Sequence, residues 1–118
     1  PLLHMHAGWL PDYRGSTTTY YSWINEGVCG VSAIFLTADI DTGAILSRKQ
    51  YPPPPVGMDG DYLYDTVLRS DLLLSIMANL AESGGLPEQL LQQRGKGETY
   101  YIIHPLLKHL VILSGEDR

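Results

Sequence analysis

Apolar residues in the second half of the chain recur about every fourth position: Tyr64, Leu68, Leu72, Ile76 and Leu80, with Leu73 and Met77 beside them. That spacing returns side chains to one face of a helix, and it predicts a long amphipathic helix over residues 61–82. Asp61 offers an N-cap oxygen, Asp65 suits the positive end of the helix dipole, and Gly84-Gly85 close the element. Upstream the pattern changes. Residues 28–37 are rich in Val, Ile and Phe and predict a strand, and residues 44–51 predict a second one. The two read as a hairpin-like pair around an acidic turn at 39–43. The prolines at 52–55 then exclude any continuation inside a sheet.

The remaining segments are shorter. Residues 1–5 form an apolar run consistent with the end of a buried strand. Residues 8–15, with Pro11, Asp12 and two glycines, form a loop. Ser16 offers an N-cap for a helix running to about Asn25, with Gly27 just past its end. A short helix is expected over 86–93 after Pro87, a turn at 95–97 and a strand at 99–103. His104-Pro105 ends that strand, and residues 106–113 suit a terminal helix or strand. Strands alternating with helices predict α/β architecture.

Composition narrows the function. The 118 residues fit one domain and are 44% hydrophobic and 18% charged, enough to build a core. The formal net charge is -5 and the 8 basic residues are scattered, so no basic stripe marks an extended nucleic-acid surface. A small anionic ligand held by one or two arginines stays open. The single cysteine, Cys29, excludes an internal disulfide and a cysteine-based zinc site, and a reducing, cytoplasmic setting is expected. No apolar run approaches the roughly 20 residues that span a bilayer. The chain starts at Pro1 inside an apolar run, so an upstream half is expected to be missing.

Several short motifs follow one another in the first half. They read His4-Met5-His6-Ala7-Gly8-Trp9-Leu10-Pro11, Tyr13-Arg14-Gly15, Trp23, Gly30-Val31-Ser32, and Asp39-Ile40-Asp41-Thr42-Gly43-Ala44-Ile45. This order and spacing resembles the folate-dependent formyltransferase family, over roughly residues 3–51. The family pattern is an Asn-x-His followed by Leu-Pro, Arg-Gly, a Trp-containing helix, a Gly-Val-Thr/Ser strand and an Asp-x-Gly-x-Ile loop. The resemblance implies a Rossmann-like fold, with residues 1–118 as the later part of a catalytic domain. It implies formyl transfer from 10-formyltetrahydrofolate to an amine of a small-molecule acceptor.

Carried over by position, the resemblance makes His6 and Asp41 catalytic. His4 stands where the family has asparagine, the group that holds the formyl oxygen as charge develops on it. An imidazole can also donate a hydrogen bond there, but it is bulkier and its charge varies with pH. A protonated His6 would stabilise the anionic oxygen and donate toward the departing folate nitrogen, with Asp41 favouring the imidazolium. Thr37, Ala38, Asp39 and Ile40 fall on the loop that lines the family's pterin pocket, and Arg14 falls closer to the acceptor. The acidic balance and the helix carrying Tyr21-Ser22-Trp23 favour a nucleotide-linked amino sugar over tRNA.

Two other readings compete. His4 and His6 are two apart, so on a strand both face one way, as imidazole ligands of a metal do. Such a site needs further ligands, and the other histidines, His104 and His109, lie far along the chain. A degenerate, non-catalytic binding module is the second rival. A half-built domain would also leave a sheet edge open, inviting self-association or pairing with the missing half. In isolation, a strand-end histidine and a turn aspartate are ordinary structural residues, and Trp9, Trp23, Tyr20 and Tyr21 are ordinary wall aromatics.

Overall fold

The computed structural model describes residues 1–93 and 95–115. Strand β1 (Leu3–His6) leads into a turn and the three-residue strand β2 (Tyr13–Gly15). Helix α1 (Thr18–Glu26) follows, then β3 (Cys29–Phe35) and β4 (Ile45–Tyr51). A single π-helical turn (Gly60–Tyr64) runs into the long helix α2 (Asp65–Ser83). Strand β5 (Glu98–Tyr100) and helix α3 (Pro105–Ser114) complete the fold.

The main sheet has the order β1-β3-β4 with antiparallel pairing throughout, and β2 pairs in parallel with β5 in a separate two-stranded ribbon. Strand β3 is central and buried on both faces. Cys29, Val31 and Ala33 point into the main core with Leu68, Leu72 and Ile76 of α2, whereas Ile34 packs with Leu10 and Ile45 on the other side. Two-residue alternation within one strand therefore feeds two cores. Ser32, on the second face, ties the strand to the turn after β1. Its hydroxyl accepts from the Leu10 amide at 2.9 Å and donates to the Gly8 carbonyl at 2.6 Å. Fully enclosed hydroxyls require such partners.

The helical stripe forms as its spacing predicts. Tyr64, Leu68, Leu72 and Ile76 are buried, Leu80 is half-buried at the end, and Leu73 and Met77 flank the stripe on the exposed side. The cap differs. Asp59 rather than Asp61 accepts the first free amides, from Asp61 at 2.8 Å and Tyr62 at 3.1 Å. Asp61 is left with its carboxylate pointing at Tyr20 and Lys108.

Other expectations are corrected. Residues 86–93 are not helical: the segment is extended, and Leu90 forms an isolated antiparallel bridge with Ile45. Ser16 does not cap α1. Thr17 occupies that position in the left-handed region (φ 52) without a side-chain cap, its hydroxyl accepting from the Ile103 amide at 2.9 Å. Strand β1 is an edge strand with Leu2 and Leu3 exposed, not the end of a buried one. The expected loop at 8–15 contains β2 and a cis Leu10–Pro11 bond. The expected strand at 99–103 is β5, shifted toward Glu98 and ending at Tyr100. The terminal segment is a helix, capped by His104 and started by Pro105.

Candidate active site

His6 ends β1 where the strand enters the core, which leaves its ring 5% exposed. Its Nε2 lies 2.9 Å from the Tyr13 carbonyl oxygen, and its Nδ1 lies 3.5 Å from Asp41 Oδ1. Both ring nitrogens thus face oxygen acceptors. A neutral imidazole carries one proton and can satisfy one of them. Burial lowers the pKa of His6, while the Tyr13 carbonyl and the Asp41 carboxylate pull it up, and burial wins. Burial therefore disfavours the charged ring that the family resemblance implies.

Asp41 reaches His6 from the β3–β4 connection. Its backbone sits in the left-handed region (φ 54), which aspartate tolerates better than most residues. Three contacts hold it there. Asp41 Oδ2 accepts from the Gly15 amide at 2.9 Å, and Gln92 Nε2 donates to the Asp41 carbonyl at 2.9 Å and to the Gly43 carbonyl at 2.7 Å. A Cβ at Gly43 would fall 1.6 Å from the Phe35 carbonyl oxygen, so the loop closes only with glycine at that position. Gln92 lies in the segment read as a helix, and nothing in its sequence context marks it.

His4, two residues before His6 on β1, points the same way, with ring centroids 6.3 Å apart. One ligand-type atom from each of His4, His6 and Asp41 can be chosen so that all lie within 4.8 Å of one another. The structure therefore brings together all three residues singled out for chemistry.

The loop residues Thr37, Ala38, Asp39 and Ile40 are exposed, with Ile40 76% accessible. Thr37 and Asp39 border a cavity of about 370 Å³ shared with Arg14, Thr42 and Gln92. Arg14 is engaged in the fold: its guanidinium donates to the Lys96 carbonyl at 2.5 Å and to Gln92 Oε1 at 3.2 Å. It lies beside this loop cavity and does not line the one that His6 borders.

His6 borders a separate cavity of about 250 Å³, with Gly15, Thr18, Tyr20, Asp61 and Asp65 among its walls. The Thr18 hydroxyl donates to the Ala7 carbonyl and fixes the corner between β1 and α1. Asp61 accepts from the Tyr20 hydroxyl at 2.7 Å and from Lys108 Nζ at 2.5 Å. Asp65 pairs with Arg69 at 2.6 Å, yet burial raises its pKa above the ordinary value. Walls that carry carboxylates favour cationic or hydrogen-bond-donating groups over anions. Among the described residues, no helix is long and apolar enough to cross a membrane.

No family model matches the chain. A methionyl-tRNA formyltransferase from Solibacter usitatus is 31% identical over 111 residues, covering 91% of this chain and 33% of that protein. The chain spans a third or less of the length of the first curated relatives it matches. Among solved structures, a sugar N-formyltransferase from Shewanella superposes with a TM-score of 0.64 at 25% identity, over 96% of this chain and 50% of that one. The formyltransferase PseJ from Anoxybacillus kamchatkensis, solved with a UDP-linked formamido sugar and tetrahydrofolate, gives 0.65 at 19% identity over 85% and 52%. The same Rossmann-like α/β fold thus surrounds the motifs. Alignment along nine-tenths of the chain and agreement in fold lead to one conclusion: the chain belongs to the folate-dependent formyltransferase family.

Proposed function

We propose that this chain is part of a catalytic domain that transfers a formyl group from 10-formyltetrahydrofolate to an amine of a small acceptor. One observation carries the reading: buried His6 and half-buried Asp41 lie 3.5 Å apart, and His6 borders a cavity wide enough for a small polar group. The donor supplies an electrophilic formyl carbon.

The chain's own residues handle protons and charge. In the charged ring the Nε2 proton stays on the Tyr13 carbonyl, so the Nδ1 proton, facing Asp41 Oδ1 across 3.5 Å, is the one that can move. His6 in its charged form stabilises oxygen charge and gives its Nδ1 proton to the leaving nitrogen, and the Asp41 carboxylate accepts the proton that the acceptor amine loses. Tyr13 steadies the ring through its carbonyl, and that contact survives in the charged state. His4 stands close enough to offer an N–H to the formyl oxygen, in place of the family's asparagine amide. One positioned donor of this kind contributes on the order of 3 kcal/mol.

The acidic lining supports an amine acceptor. Asp61 and Asp65, each paired with a cation (Lys108 and Arg69), still present carboxylate oxygens that can accept hydrogen bonds from an amine or from sugar hydroxyls. Net charge -5 also disfavours a long phosphate backbone as acceptor. The PseJ structure, bound to a nucleotide sugar, supports the same choice. Thr37, Ala38, Asp39 and Ile40 would lie along the folate heterocycle, presenting backbone groups. The open edge of β1 suits pairing with further strands of the domain.

The test is formyl transfer by the full-length polypeptide that carries this sequence, with nucleotide-linked amino sugars and methionyl-tRNA compared as acceptors. Turnover with the sugar and release of tetrahydrofolate are expected. Folate binding without turnover on any amine would replace this reading with a non-catalytic module.

A further inference from the structure

The geometry points to a second use of the same corner: His4, His6 and Asp41 form a binding site for a divalent transition-metal ion of the zinc class, whose capture blocks the acid–base pair. Metal capture stands on side-chain geometry alone. Only the inhibition rests on the proposed formyl transfer.

The first argument is a distance. A charge-assisted N–H···O bond is short, about 2.7–2.9 Å. His6 Nδ1 and Asp41 Oδ1 are 3.5 Å apart, too long for that bond. With zinc–nitrogen and zinc–oxygen bonds of about 2.0–2.2 Å, two tetrahedral ligands lie roughly 3.4 Å apart. The observed gap therefore matches the span across one ion.

The second argument is the tautomer. The Tyr13 carbonyl, 2.9 Å from Nε2, can only accept, so it selects the ring form with its proton on Nε2. That form turns the Nδ1 lone pair toward the Asp41 carboxylate, an unfavourable meeting that a cation between them makes favourable. A ligating histidine that donates its other N–H to a backbone carbonyl is the usual outer-shell arrangement of metal sites. The Gly15 amide occupies Asp41 Oδ2 in the same way and leaves Oδ1 free.

His4 completes the set. It is half-buried on β1, and ligand-type atoms of all three residues fall within 4.8 Å. Metal binding requires the His4 nitrogen to close from within 4.8 Å to the roughly 3.4 Å span of two tetrahedral ligands. Two imidazoles and one carboxylate leave open positions for water, and they suit zinc, cobalt or ferrous iron. Magnesium and calcium, which require mostly oxygen ligands, are excluded by the two nitrogens. With asparagine at position 4 the second imidazole is lost, so the feature belongs to this chain's departure from the family pattern.

The test is a calorimetric titration of chelator-treated full-length polypeptide with zinc chloride, with magnesium chloride in parallel. One equivalent of zinc binding in the micromolar range is expected at this site, and no such event with magnesium. His4→Asn should weaken that equivalent about tenfold or more, and Asp41→Asn should remove it, while His109→Ala on the surface of α3 leaves it intact. Cobalt gives a second readout, a visible absorption band that changes in His4→Asn. Absence of the zinc equivalent, or its full retention in both His4→Asn and Asp41→Asn, would overturn the site. Zinc binding by a polypeptide that never transfers formyl groups would uphold the site and sink the enzymatic reading instead.

Discussion

Gln92 holds Asp41 in place through its backbone, donating from one amide nitrogen to the carbonyl oxygens of Asp41 at 2.9 Å and Gly43 at 2.7 Å. The same side chain accepts from Arg14, so two segments 78 residues apart meet over the β3–β4 connection. Gln92 touches neither His6 nor the cavity that His6 borders. It is a positioning residue.

Gln92→Ala is therefore expected to lower kcat by about one to two orders of magnitude, because small misplacement of a reacting group costs about that much. Folate affinity should change far less. Steady-state kinetics on the full-length polypeptide check this. A large rise in KM with kcat unchanged would mean that Gln92 binds substrate and does not set the loop.

Leu72 and Leu74 separate core from surface on one helix. Leu72 is 1% exposed in the main core, and Leu74 is 68% exposed. Leu72→Ala should cost about 2–5 kcal/mol of stability, from lost transfer energy and the cavity left behind. Leu74→Ala should stay within about 0.5 kcal/mol. Urea denaturation of both variants decides the point, and equal losses would contradict the assigned helix face.

The cluster of Asp61, Tyr20 and Lys108 links α1, the π-helical turn and α3. Burial acts to raise the pKa of Asp61, but hydrogen bonds from Lys108 and Tyr20 outweigh it and leave the pKa lowered. A carboxyl depressed in the folded state stabilises the fold above its unfolded value of about 3.9, and that contribution disappears as pH falls through the folded value. Stability should thus decline in the acid range, and Lys108→Met should flatten that part of the profile. Because the group is partly exposed, the effect should be modest and weaken with salt. Thermal unfolding between pH 5 and 2 measures it, and an unchanged slope in Lys108→Met would count against the cluster.

Much of this arrangement is legible in the sequence because it follows from short-range periodicity. The stripe through Tyr64, Leu68, Leu72 and Ile76 and the hairpin around the acidic turn reappear in the structure, and so does the meeting of His6 with Asp41, which the family resemblance alone implies. What the sequence hides is long-range. Leu86, Leu90 and Leu91 carry helical spacing and good helix formers surround them, yet the segment is held extended by one bridge from Leu90 to Ile45. Three-residue β2 is too short to show a pattern, and only its pairing with β5 makes it a strand. Asp59 and Asp61 are both suitable caps, and the π-helical turn decides between them. Gln92 acts through its amide on a loop that no local signal connects to it.

His6 and Asp41 carry the central claim, and transient kinetics tests it most directly. The rate of a single turnover of 10-formyltetrahydrofolate and acceptor amine should be measured in the full-length polypeptide, as wild type, His6→Ala and Asp41→Asn. Each variant should lose at least about a hundredfold in that rate while its affinity for a folate analogue stays within a few-fold. Retention of the wild-type rate by His6→Ala in a correctly folded protein would contradict the account.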